Sequence, residues 1–247
     1  MLLRRITKHV KEQNWFAVSI DFFIVVIGVF IGIQVANWNE GQADQRRAND
    51  LVGRMISEAE ETQEQLTDYI IVHKLIKNNA EQLTLALKNK DTCIAMSDKL
   101  KILIVSIADF PPPRFSLSNA EQAVNTGNLS LIQSPSVRAS IQTITNEMRF
   151  IDRQWQRYVR VKQDTNEAAH RASGVAFTGQ GTINWVDSDS YDPNQYELLT
   201  PAKICGNTEL IGLTSNLAVL QSIYVSYLGQ FKSALNTYLT ALSQDII

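Results

Sequence analysis

Residues 17–36 form a twenty-residue apolar stretch interrupted only by Ser19, Asp21 and Gln34. Twenty helical residues at about 1.5 Å each span about 30 Å, the thickness of a bilayer's hydrocarbon core. Within it, residues 22–33 carry no polar side chain. Arg4, Arg5, Lys8 and Lys11 stand in front, and a cationic flank of this kind stays in the cytoplasm. Trp15 and Trp38 bracket the stretch as membrane-interface anchors. The competing readings are a buried core helix and a cleaved signal peptide. A cleavable signal ends in small residues of the A-x-A kind, and Gln34-Val35-Ala36-Asn37-Trp38 does not. The expectation is an uncleaved signal anchor, with no second segment of its kind. Residues 1–15 are then a basic cytoplasmic tail, 16–38 the transmembrane span and 39–247 the exported part.

The tail sets Leu2, Leu3, Ile6 and Val10 against its cations. This fits a short interfacial helix as well as a plain topogenic tail. Either is too small for an enzyme or a DNA-binding module, so any cytoplasmic output must pass through a partner. A net charge of −2 likewise argues against nucleic acid as a partner.

Gly28-Val29-Phe30-Ile31-Gly32 is a small-xxx-small motif extended by Ala36. Small residues four apart let helix backbones approach closely. Asp21, Val25, Gly28, Gly32 and Val35 share one face at helical spacing, and a carboxylate at that depth points to a partner or snorkels to the interface. Besides the lipid bilayer, the expected partner is therefore a second copy or another membrane protein. Chance glycines are the alternative.

The string Val26-Ile27-Gly28-Val29-Phe30-Ile31-Gly32-Ile33-Gln34-Val35-Ala36-Asn37-Trp38-Asn39-Glu40 resembles the opening of a large uncharacterised bacterial family of N-terminally anchored proteins. Its members share an I-G-x-x-I-x-x-Q-x-x-N-W-N-E signature, often with an acidic residue where Asp21 stands. A second similarity is Ala123-Val124-Asn125-Thr126-Gly127-Asn128-Leu129-Ser130-Leu131-Ile132 followed by Arg138. Here Thr126 stands where the family usually has serine. The resemblance implies a single-span protein of the bacterial inner membrane, with its C-terminal domain helical and periplasmic. It implies no activity.

Past Glu40 no proline occurs until Pro111. Val52, Met55, Ala59, Thr62, Leu66, Tyr69, His73, Ile76, Ala80, Leu83 and Leu87 alternate steps of three and four, a heptad seam. A second seam opens at the N-cap pair Ser134-Pro135 and runs Val137, Ile141, Ile144, Met148, Ile151, Trp155, Tyr158. A third, over 208–243, runs Leu210, Leu213, Leu217, Leu220, Tyr224, Tyr227, Phe231, Leu235, Tyr238, Leu242. Between the first two, residues 97–109 read as helix, and Ser118-Asn119-Ala120-Glu121 as a capping box opening another. Long seamed helices mean a bundle. The expected class is all-α, a transmembrane helix continuing into a long antiparallel four-helix-bundle-like domain. In that topology Cys93 and Cys205 fall at the same end, and an oxidising compartment would join them. The alternative is two separate buried thiols.

Residues 175–207 depart from helix and are expected to form a loop cap. Val175-Ala176-Phe177 is expected to pair with residues 182–186 as a hairpin. Asp187, Asp189 and Asp192 alternate like calcium ligands, but the glycine such a loop needs is missing, and a solvated turn is the default. Three histidines occur, and His73 reads as a polar seam residue rather than a metal ligand. Arg149, Arg153, Arg157 and Arg160 make a basic row suited to an anionic ligand or to the acidic row Glu58, Glu61, Glu64, Asp68, the latter preferred. No catalytic, metal or cofactor constellation is recognisable. The expected function is a scaffold or accessory subunit acting through protein contacts, with a ligand-sensing module of unknown small-molecule ligand as the alternative.

Overall fold

Residues 15–88 hold no proline to break a helix, and the structure, a computed structural model, carries them as one helix, α1 (Trp15–Lys88). The residues described are 15–107, 112–177, 196–198 and 201–244. Next come α2 (Lys90–Ala95), α3 (Ser97–Ser106), α4 (Ser118–Thr126), a 3-10 turn (Asn128–Leu131) and α5 (Pro135–Ser173). Strands β1 (Val175–Phe177) and β2 (Tyr196–Leu198) follow, then α6 (Pro201–Ile204) and α7 (Thr208–Gln244). The described chain is thus helical apart from one two-stranded ribbon. It divides into two units, Met1–Leu51 and Val52–Ile247.

In the first unit the side chains of Phe22, Val29, Phe30 and Val35 are exposed, as are Trp15 and Trp38, while Asp21 is half-exposed. Among the described residues α1 is the one helix long and apolar enough to cross a membrane, and none of its most apolar window is buried. Past Trp38 the face turns polar, with Arg47 paired to Asp44 at 3.3 Å.

In the second unit every position of the first expected seam, from Val52 to Leu87, is buried. The helix stops at Lys88, well before the first proline at Pro111. Asn89 is extended (φ −106°) and its side chain accepts the Thr92 N–H at 3.1 Å, so it caps a new helix, α2. The second seam also turns inward, except that Trp155 is half-buried. Ser134 Oγ accepts the Val137 N–H at 3.4 Å and opens α5 as its sequence suggests.

The capping box at α4 is not formed. Ser118 Oγ donates to Glu58 Oε1 at 2.5 Å and the Asn119 N–H donates to Glu58 Oε2 at 3.0 Å. A carboxylate from α1 therefore accepts these donors at the positive end of α4, whose first turn also carries Glu121. Thr62 Oγ1 donates to the Ser116 carbonyl at 2.8 Å and pins the segment carrying buried Phe115 and Leu117. At the other end of α4, Gly127 takes the left-handed conformation (φ 77°) that a helix C-terminus favours. Arg138 then donates to the carbonyls of Ile132 at 2.6 Å and Gln133 at 2.9 Å. The second motif is thus a turn with a guanidinium clamp.

Cys93 and Cys205 form a disulfide, with Cα atoms 5.7 Å apart across 112 positions of sequence. Gly206 N–H donates to the Leu87 carbonyl at 2.9 Å, tying the same junction to the end of α1. The expected hairpin partner of β1 is corrected. Val175 pairs with Leu198, Ala176 with Glu197 and Phe177 with Tyr196, antiparallel. Tyr-Glu-Leu supplies the apolar-polar-apolar alternation that three paired residues need. Residues 182–186, and the carboxylates of Asp187, Asp189 and Asp192, lie outside the described residues.

Candidate functional site

The inward positions of α7 depart from the apolar pattern over its first half. Leu210, Thr214, Leu217, Gln221, Tyr224, Leu228, Phe231, Leu235, Tyr238 and Leu242 are buried, while Leu213, Leu220 and Tyr227 are only half-buried. The buried set keeps an unbroken four-three alternation, which the all-apolar set does not. Thr214 and Gln221 thus displace two leucines from the interior, and Leu228 takes the place of Tyr227.

The cause is a row of polar pairs between α1 and α7. Thr84 Oγ1 meets Thr214 Oγ1 at 2.9 Å. Gln221 Nε2 donates to the His73 carbonyl at 2.9 Å and lies 2.5 Å from His73 Nδ1. The hydroxyls of Tyr69 and Tyr224 are 3.2 Å apart. Lys232 donates to Thr67 at 2.9 Å and Gln63 to Asn236 at 2.6 Å. As the numbering climbs along α1 from 63 to 84, the partners on α7 descend from 236 to 214. Buried polar groups left without these partners would cost about 1–3 kcal/mol each, so the pairs fix which α7 residues face in.

Around His73 the core is aromatic. Its ring centroid lies 4.3 Å from Tyr69 and 5.0 Å from Tyr224, both edge-on. Tyr158 stacks on Tyr224 at 5.4 Å, and Phe115 stacks on Phe231 at 5.7 Å. Burial lowers the His73 pKa to about 3; the hydrogen bond with Gln221 opposes the shift and the nearby Lys162 charge adds to it. Burial also pushes the phenols of Tyr69, Tyr158, Tyr224 and Tyr238 up, so all four keep their protons. His73 is therefore a neutral core residue. Lys162, itself buried, is the cation that the sequence pattern failed to flag.

On the outer side of this core a groove of about 100 Å³ opens between α5 and α7. Gln154, Arg157, Tyr158 and Val161 line one wall, and Leu220, Ile223, Tyr224 and Tyr227 the other. Both walls follow helical i, i+3, i+4, i+7 spacing. Leu220 and Tyr227 reach it because Gln221 and Tyr224 hold the interior. Phe150 packs edge-on against Tyr227 at 5.0 Å.

The basic row divides. Arg149 is half-buried, Arg153 and Arg160 are exposed, and Arg157 is exposed at the groove. Among the described residues no ion pair joins any of the four to Glu58, Glu61, Glu64 or Asp68. Glu58 is held by α4, and Glu61 accepts from Gln65 within its own helix at 2.9 Å. Gly28 and Gly32 have open space where a side chain would project. Among the described residues no three His, Cys, Asp or Glu side chains converge as metal ligands. No protein family, curated protein or solved structure matches the chain.

Proposed function

We propose that this chain is a single-pass protein of the bacterial inner membrane, cytoplasmic at its N-terminus and periplasmic beyond the span. Its exported part is an antiparallel four-helix bundle that acts through protein contacts, as a scaffold or accessory subunit of an envelope complex, without catalysis. The observation that carries this reading is the exposed apolar surface of α1. Ten large apolar side chains lie within residues 22–33. Exposed to water they would forgo roughly 15–30 kcal/mol of burial, which a bilayer supplies. The cationic residues before the span support a cytoplasmic N-terminus. The disulfide supports an oxidising compartment. The opposed numbering of the polar pairs supports the antiparallel bundle.

Gly28, Gly32 and Ala36 form the association face of the span, with Asp21 on the same side. Because Gly28 and Gly32 have open space about them within one chain, their replacement disturbs association rather than folding. In native membranes the full chain crosslinks to a second copy or to another membrane protein, and Gly28→Leu with Gly32→Leu abolishes the product. A monomer in both cases, or an unchanged product, overturns the span-pairing part.

A second reading, a ligand-sensing module signalling through a partner membrane protein, is favoured by the open groove between α5 and α7.

A further inference from the structure

We propose that the groove between α5 and α7 binds a small aromatic acid, its ring among Tyr158, Tyr224 and Tyr227 and its carboxylate on Arg157. This names the ligand class for the sensing reading and rests on that reading only for its biological use.

Three features of the groove choose the chemistry. Its size, about 100 Å³, is below the roughly 150 Å³ known to hold benzene in an enclosed apolar cavity. One ring therefore enters only because the groove is open, with its substituent outside. The walls are aromatic and aliphatic, since Tyr158, Tyr224, Tyr227, Leu220, Ile223 and Val161 outnumber the polar Gln154 and Arg157. Tyr158 and Tyr224 are themselves buried and locked by their mutual stacking, so the floor is preformed rather than assembled on binding. Flat rings pack on such surfaces edge-on or offset.

The sign of the charge follows from Arg157, the one ionised side chain among the lining residues. A cationic ligand would be repelled there, although tyrosines alone would welcome one. A guanidinium and a carboxylate then meet in charge-assisted hydrogen bonds. With Gln221 and Leu228 turned inward, Leu220 and Tyr227 are left on the groove wall.

The test uses the full chain in nanodiscs, with 4-fluorophenylacetate as the probe read by fluorine NMR and empty nanodiscs as control. Saturable binding in the millimolar range or tighter is expected. Arg157→Gln should weaken it about tenfold, the loss of one charge-assisted contact at a partly exposed site. Leu220→Trp should fill the groove and abolish binding, while Leu85→Trp, outside the groove, leaves it unchanged. Each variant is checked for its disulfide and helical circular dichroism. No saturable binding by the folded chain overturns the proposal. So does equal binding of 4-fluorophenethylamine, or indifference to Arg157→Gln. Failure here leaves the membrane-anchored reading untouched, since crosslinking of the span tests that separately.

Discussion

The neutral, buried His73 makes the helical fold sensitive to acid in a calculable way. Its folded pKa is about 3, against about 6.5 in an unfolded chain. Between those values the unfolded state binds a proton that the folded state refuses, so stability falls as pH falls through 6.5. At pH 7.5 the effect is small. At pH 5 protonation favours the unfolded chain by a factor of about 30, or about 2 kcal/mol. Lys162 adds to the folded-state penalty, while Asp152, whose pKa burial raises, acts in the opposite sense. The assay is urea unfolding of the full chain in mild detergent, followed by far-ultraviolet ellipticity at pH 7.5 and pH 5. Both His9 and His170 are replaced by glutamine in the reference protein, leaving His73 alone of the three histidines. Adding His73→Gln should remove about 2 kcal/mol of pH dependence, since the carboxylates contribute equally to both proteins. If that variant does not fold, the His73 Cε1–H chemical shift in the reference serves instead and should stay that of neutral imidazole down to pH 5. Equal pH dependence in the two proteins, or an imidazole that titrates near 6.5, would refute the reasoning.

Reduction of the Cys93–Cys205 bridge, or Cys93→Ser, should lower stability by about 2–5 kcal/mol, given the long loop it closes, and slow migration on non-reducing gels relative to the compact oxidised chain. Gln221→Leu deletes the donor to the His73 carbonyl and should cost about 1–3 kcal/mol in urea unfolding despite adding apolar surface. An unchanged midpoint would mean the polar pair does not set the α7 register. Glu58→Ala strips the N-terminus of α4 of its carboxylate and should cost about 1 kcal/mol, whereas Glu121→Ala should cost less; the reverse order would restore the capping box.

Periodicity made the helices legible. The first seam is buried at every position because a four-three alternation has one inward solution when most members are apolar. The long apolar helix was legible from length and hydropathy, and the two cysteines placed at the same end do join. What the sequence hid are interactions between elements distant along the chain. Thr214 and Gln221 stand outside the apolar seam, and their place inside shows only once Thr84 and His73 are brought opposite them. Leu220 and Tyr227 read as core for the same reason. Glu58 caps a helix some 60 positions away, a contact that no local motif encodes. Lys162 gave no signal, being one cation among several on α5. The groove follows from the register of two helices and was invisible in either alone.

Reporter fusions give the most direct test of the central claim, that the span anchors an exported bundle. Alkaline phosphatase, active only after export, and β-galactosidase, active only in the cytoplasm, are fused in turn after residue 247 of the full chain. The account predicts strong phosphatase and negligible galactosidase activity, with the product in the membrane fraction at uncleaved size. Active galactosidase with silent phosphatase would contradict it, as would a soluble, shortened product.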